Sequence, residues 1–257
     1  MGSVIVATQE TYAILTINRP EALNALNREV LEGIDTAWSD LEAEADIRSV
    51  IVTGAGERAF VAGADIREIR AIANPAAAEA FARFGQGVFN RIAESRLISF
   101  MAINGFALGG GLELAMAGDY RIMAEEAQVG QPEILLGIIP GFGGTQRLKG
   151  LIGSGRALWL IASGERVDAA RALSWGIVDE VTPRAHLLSR AEEMAVGLAG
   201  KAPLALAAAK RAVHAAGPLE DRLRAEAAQF GLIGCSDDAR EGTSAFLEKR
   251  TPRFRGT

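Results

Sequence analysis

Three consecutive glycines, Gly109-Gly110-Gly111, constrain this chain more than any other stretch. They lie within Asn104-Gly105-Phe106-Ala107-Leu108-Gly109-Gly110-Gly111-Leu112-Glu113-Leu114-Ala115, behind an apolar run from Leu97 to Ile103. The run reads as a buried strand, and Leu112, Leu114, Ala115 and Met116 read as the start of a buried helix. A strand, a glycine turn and a helix in that order leave bare backbone N–H groups at a helix N-terminus, where the dipole favours negative charge. One carboxylate, Glu113, falls in the first helical turn. Two readings compete. In one, the N–H groups form an oxyanion site with an acid or base beside it. In the other, the glycines only permit close packing and Glu113 is a solvated first-turn acid.

The rest of the chain supplies strand–helix units up to about residue 180 and helices beyond, with no repeat at a solenoid period. Val4 to Val6 and Ala13 to Ile17 predict a hairpin. Asn27 is an N-cap for a helix carrying Val30, Leu31, Ile34, Trp38 and Leu41 at helical spacing. Ser49 to Thr53 is a continuous apolar strand. Asp65 opens a helix through Arg70, and the small residues Ala62, Gly63 and Ala64 let a ligand approach the backbone closely. A long helix, Ala76 to Glu94, turns Phe81, Phe84, Val88 and Ile92 to one face. Strands are expected at Tyr120 to Met123, Gln128 to Gly130 and Ile177 to Val181. Pro203 and Pro218 divide the C-terminal half into separate helices, and Ser236 caps a last one through Glu248. The segment from Leu198 to His214 is apolar over much of its surface, which calls for burial against something large.

Several site classes fall away on spacing. Gly54-Ala55-Gly56-Glu57-Arg58-Ala59 matches the dinucleotide fingerprint, but no helix start follows it and position 74 is Asn where an acid is required. Pro140-Gly141-Phe142-Gly143-Gly144-Thr145 turns into a helix without the lysine of a P-loop. Cys235 is the only cysteine, and His186 and His214 lie far apart, so a metal site is not expected. With 257 residues, 49% of them hydrophobic, the chain can bury a large core. The net charge of −5, without a basic run, argues against a nucleic-acid partner. No run reaches the roughly 18 apolar residues of a membrane span, and no secretory signal is visible, so a cytoplasmic protein is expected. A second carboxylate, Glu133, follows Pro132. Sequence distance alone does not bring it to Glu113.

Six pieces of the chain decide between the readings. They are Asn18-Arg19-Pro20-Glu21-Ala22-Leu23-Asn24-Ala25-Leu26, Ala62-Gly63-Ala64-Asp65-Ile66, the stretch Asn104 to Glu113, Gly130-Gln131-Pro132-Glu133-Ile134-Leu135-Leu136-Gly137, Pro140 to Leu148, and the tail Glu241 to Arg250. In these pieces, in order and over almost its whole length, the chain resembles the crotonase superfamily and within it the enoyl-CoA hydratases. The resemblance implies an α/β fold, a crotonase-like spiral of ββα units with a C-terminal helical trimerisation region. Residues 1–195 would form the spiral core, and residues 196–257 a helical oligomerisation or lid region. It implies a homotrimer or a hexamer built as a dimer of trimers, with an acyl-CoA substrate and no membrane or nucleic-acid partner. The family's two oxyanion N–H groups map onto Ala64 and Gly110, and its two glutamates onto Glu113 and Glu133. Coenzyme A and substrate would run along Ala22, Ala62, Asp65, Ile66 and Pro132. Gly141 would line the water pocket, and Lys249, from a neighbouring subunit, would meet the CoA phosphates. The segment Arg67 to Arg91 would contribute to the acyl pocket. The chain departs from many members at Ile98, where they carry proline.

The implied reaction adds water to a 2-enoyl thioester. Water attack builds an enolate whose oxygen two N–H donors stabilise. One carboxylate deprotonates the water, a role assigned to Glu113, and one carboxyl protonates Cα, a role assigned to Glu133. No metal or redox cofactor is required, since CoA is part of the substrate. Many relatives that isomerise, dehydrate or hydrolyse acyl-CoA keep the oxyanion donors but change an acid, so retention of both glutamates favours hydration. Loss of catalysis to leave a CoA- or RNA-binding protein is the remaining reading, and the intact acids and negative charge oppose it.

Overall fold

The computed structural model describes residues 2–257. It opens with the expected hairpin, of β1 (Val4–Thr8) and β2 (Tyr12–Ile17). A 3₁₀ turn at Pro20–Ala22 leads to α1 (Arg28–Ala43), capped by the Asn27 side chain accepting from Val30 N–H. Three ββα units follow. The first is β3 (Ser49–Gly54), β4 (Ala59–Val61), α2 (Ile66–Ala71) and α3 (Pro75–Glu94). The second is β5 (Ile98–Ile103), β6 (Phe106–Leu108) and α4 (Gly110–Ala117). The third is β7 (Tyr120–Ala124), β8 (Gln128–Gly130), a 3₁₀ helix at Pro132–Leu136 and α5 (Gly144–Ser163), kinked at Gly153. Then come β9 (Arg166–Asp168), α6 (Ala169–Trp175), β10 (Glu180–Thr182) and α7 (Arg184–Ala199). Three helices close the chain: α8 (Pro203–Val213), α9 (Leu219–Ile233) and α10 (Asp237–Glu248).

Each unit places its long strand in one sheet and its short strand in another. The larger sheet has the order β1-β2-β3-β5-β7-β10, parallel from β2 onward. The smaller has the order β4-β6-β8-β9, with only β9 antiparallel. A strand that leaves a sheet orphans backbone groups, and these must find partners. Asn104 supplies them at the exit of β3 and β5. Its amide donates to Gly54 O at 2.9 Å and Gly56 O at 2.7 Å, and its oxygen accepts from Gly54 N–H at 3.2 Å. The buried side chains of Leu15, Ile51, Met101 and Ile122 fill the core, and α7 packs across β2, β3, β5 and β7. The departure at Ile98 is benign: its N–H donates to Arg48 O at 3.0 Å, a bond proline would lack.

The structure corrects the sequence reading in two places. The three-residue strands β4, β6 and β9 were not expected, because so short a run carries no periodicity. The strand expected over Ile177 to Val181 begins only at Glu180. Gly176 instead ends α6 in the left-handed region, at φ 78°, and the N–H of Ile177 turns back to Ala172 O at 2.9 Å. The apolar pair Ile177-Val178 is thus a helix C-terminal contact rather than strand.

The segment from Leu198 to His214 docks through an unexpected residue. Lys210, on α8, is 5% exposed. Its Nζ donates to Ile92 O at 3.1 Å, Leu97 O at 2.8 Å and Asp119 Oδ2 at 2.8 Å. Asp119 also accepts from Ser99 N–H and Oγ, each at 2.8 Å, so the helical region is tied to the edge of β5. No helix among the described residues is long and apolar enough to cross a membrane.

Candidate active site

The motif Asn18 to Leu26 proves to be the scaffold of a loop opposite it. Leu23 and Asn24 take left-handed conformations, at φ 52° and 59°. Asn24 donates to Ala55 O and Ala59 O at 3.0 and 2.8 Å, and Ala62 N–H returns to Leu23 O at 3.0 Å. A parallel bridge then joins Leu26 to Ala64. It is made by Leu26 N–H to Gly63 O at 2.8 Å and Asp65 N–H to Leu26 O at 2.7 Å. Both bonds belong to Leu26, so Ala64 spends no N–H on the bridge. Gly110 opens α4, where an N–H has no intrahelical acceptor. Among the described residues neither N–H has a protein partner. The two backbones are close: a Cβ on Gly110 would stand 3.4 Å from Ala64 N.

All eight residues of α4 are buried, Glu113 among them at 2% exposure. A buried carboxylate is costly unless it is bonded. Glu113 Oε1 accepts from Phe142 N–H at 2.8 Å and Gly144 N–H at 2.7 Å. Burial pushes its pKa up to about 7, and those two N–H groups and the Arg147 charge limit the rise. Glu113 is therefore not a solvated first-turn acid. Gly144 is bare because a Cβ there would stand 2.9 Å from Glu113 Oε1.

Glu133 stands in the 3₁₀ helix after β8, across from the glycine run. Gly109 has φ 51° and ψ −122°, and a Cβ there would meet Glu133 Oε1 at 2.9 Å. Burial first, and the Glu113 charge second, push Glu133 up to about 8. The fully buried Gln131 was not singled out as a site residue in the sequence. With its NH₂ turned toward Glu133 it donates to Oε1 at 2.8 Å and Oε2 at 3.0 Å. Turned over, the same amide accepts from a protonated carboxyl, so it can serve either state. The only sequence signal was a polar residue at the end of a buried strand.

These groups share a cavity of about 740 Å³. Of the residues singled out in the sequence, Ala62, Ala64, Ile66, Gly110, Glu113, Pro132, Glu133 and Gly141 line it. Ile69, Ile72, Ala78, Phe81 and Ala82 form an apolar wall, within the segment expected to build an acyl pocket. Three residues stand apart. Asp65 caps α2, accepting from Arg67 N–H at 3.1 Å and Arg19 at 3.2 Å. Burial disfavours its charge, but these partners outweigh it and hold the carboxyl below its ordinary range. Ala22 lies in the 3₁₀ turn before α1, outside the cavity lining. Lys249 is exposed at the end of α10, also outside it.

Two free N–H donors and two carboxyls of raised pKa on an apolar cavity suit stabilisation of an oxyanion with proton transfer beside it. Comparison with known proteins agrees. The family model described as Enoyl-CoA hydratase/isomerase matches residues 7–257. A short-chain-enoyl-CoA hydratase of Clostridium acetobutylicum is 40% identical over 252 residues, 97% of this chain and 96% of that protein. A crotonyl-CoA hydratase of Syntrophomonas wolfei is 40% identical over 254 residues, 98% of this chain and 97% of that one. The crystal structure of an enoyl-CoA hydratase from Bacillus anthracis superposes with a TM-score of 0.94 at 38% identity, covering 99% of this chain and all of that one. Matched by that family model over nearly its whole length, the chain belongs to the enoyl-CoA hydratase/isomerase family.

Proposed function

We propose that this protein is an enoyl-CoA hydratase. It adds water reversibly, in the syn sense, across the 2,3 double bond of a 2-enoyl-CoA to give a 3-hydroxyacyl-CoA. One observation carries the reading: Glu113 and Glu133, both raised by burial, flank the same cavity, facing two N–H groups that no protein acceptor uses. The thioester oxygen sits between Ala64 N–H and Gly110 N–H. Glu113, whose ionised form its two N–H bonds favour, removes a proton from water, and the hydroxyl adds to Cβ. The electron pair of the double bond moves onto the thioester oxygen as an enolate. Glu133, which burial and the neighbouring Glu113 charge hold protonated, gives its proton to Cα as the carbonyl reforms. Exchange of protons with solvent resets the pair. The enolate charge is met by N–H donors, so the mechanism uses no metal or redox cofactor.

The names of the two curated relatives support a short 2-enoyl chain as substrate. A homotrimer, alone or paired into a hexamer, is part of the proposal. Val213, Phe230, Phe246 and Leu247 on α8, α9 and α10 are each more than three-quarters exposed, a load of apolar surface that assembly would bury. Lys249 lies beside that surface and is assigned to the CoA phosphates of a neighbouring subunit. The test is hydration of crotonyl-CoA, followed as loss of conjugated-enoyl absorbance. Wild-type protein should yield 3-hydroxybutyryl-CoA, and Glu133→Gln should lose about 10² or more of the rate while still binding acyl-CoA. Full turnover in Glu133→Gln would end the two-acid mechanism.

A further inference from the structure

The two N–H groups that hold Glu113 belong to the loop Gly141–Gly144, and α3 holds that loop at three points. Gln86 Nε2 donates to Gly141 O at 2.8 Å. Arg147 Nη1 donates to Phe142 O at 2.9 Å, while its Nη2 donates to Asn90 Oδ1 at 2.6 Å. The third point is the Phe142 ring, 4% exposed. It meets the rings of Phe81 and Phe89 edge-on, with centroids 5.3 and 5.7 Å away and planes at 62° and 89°. Between those two residues, one helical turn from each, lies Gly85. A glycine inside a helix weakens it, so Gly85 needs a reason. The reason is the ring: a Cβ on Gly85 would collide with three Phe142 ring carbons, Cγ at 2.7 Å among them. Gly87, two residues on, would meet nothing within 4 Å.

We propose that Phe142 is a positioning residue for hydration, its ring plugging the Gly85 notch so that the Phe142 and Gly144 N–H groups stay aimed at Glu113. The inference rests on the hydratase reading of this site. Phe142 borders the cavity, but in this role it acts through the carboxylate. The charged groups facing Glu113 are Arg147 of α5 and Glu133 of the 3₁₀ helix, and substituting the ring removes neither charge. Phe81 also lines the acyl pocket, so the same ring cluster joins the acyl wall to the loop.

The test compares Phe142→Ala, Phe142→Leu, Gly85→Ala and the double variant Gly85→Ala/Phe142→Ala in the full-length protein. Displacing a catalytic group by about 1 Å can cost about 10² in rate, so Phe142→Ala should lose about 10- to 100-fold in kcat toward crotonyl-CoA. Phe142 and its neighbour Phe81 both border the cavity, so KM should rise somewhat, but the loss should fall mainly on kcat. The acid limb of the pH profile should move upward as Glu113 loses bonds to its ionised form. Phe142→Leu should recover part of the rate. Gly85→Ala should impair the wild type yet cost nothing further in the Phe142→Ala background, where the notch is empty. In parallel, carbon-13 NMR of protein labelled at the glutamate carboxyls, with the Glu113 signal assigned through Glu113→Gln, reports its titration without any reaction. An upward move in Phe142→Ala and Gly85→Ala supports the proposal even if the wild type fails to hydrate crotonyl-CoA, an outcome that would sink the hydratase reading alone. An unmoved Glu113 titration, kcat unchanged in folded Phe142→Ala, or equal penalties from Gly85→Ala in both backgrounds would overturn it.

Discussion

Replacing Glu113 with glutamine should stabilise the folded protein at pH 8 while removing its activity. Burial raises the Glu113 pKa from an ordinary 4.5 to about 7. The folded state therefore binds this proton more tightly than the unfolded state does. The favourable contribution is complete below about pH 4.5 and is lost as pH rises through about 7. At 1.36 kcal/mol per pH unit, the wild type forfeits about 3 kcal/mol across that window. Glutamine carries no charge yet keeps an oxygen for Phe142 N–H and Gly144 N–H. It also removes the charge that raises Glu133, which works in the same direction. Glu113→Gln should be more stable than wild type by roughly 2–3 kcal/mol at pH 8, with the gap closing toward pH 5. Urea unfolding at both pH values, at one protomer concentration, measures this. The hydration rate should fall by about 10² or more. A variant no more stable than wild type at pH 8, or an equal gap at both pH values, would refute the view that this carboxylate is held ionised against the preference of its surroundings.

Other consequences are open to equally direct checks. The rate kcat/KM should fall below about pH 7, as Glu113 protonates, and above about pH 8, as Glu133 ionises, the limbs belonging to the coupled pair; a flat profile through that window contradicts the acid–base division. Gly109→Ala should cost about 1–3 kcal/mol, because φ 51° with ψ −122° suits only glycine, and the new Cβ would press on Glu133. Its kcat should drop at least about tenfold, and a variant with native melting and turnover would show that the turn tolerates a side chain. Lys210→Met should cost roughly 3 kcal/mol, since it strands the buried side of Asp119, and Asp119 keeps its bonds from Ser99. Hydrogen exchange should quicken first in α8, and unaltered protection there would mean that Lys210 does not anchor the helix.

Much of the fold was legible locally. Asn27, Asp65 and Ser236 cap helices that begin where hydrogen-bonding side chains stand. The apolar run of β3 announced a strand buried on both faces. The glycine run declared a turn that no side chain could make, and the match of several pieces in order to one family pointed to the carboxyls. The short strands β4, β6 and β9 left no such mark, because three residues cannot show a period.

What the sequence determined by itself is the set of local conformations, the residue types of the site and the kinship of the chain. Only the tertiary structure decided that Glu113 and Glu133 meet, that Leu26 rather than Ala64 makes the bridge, and that a phenylalanine ring in the Gly85 notch steadies the loop over the carboxylate. Spacing along the chain governs caps, turns and periodicity, which act over a few residues. The pKa values, the free N–H groups and the cavity arise where segments from three ββα units converge. There, burial and the direction of each hydrogen bond set the energies, and neither is written at any one position.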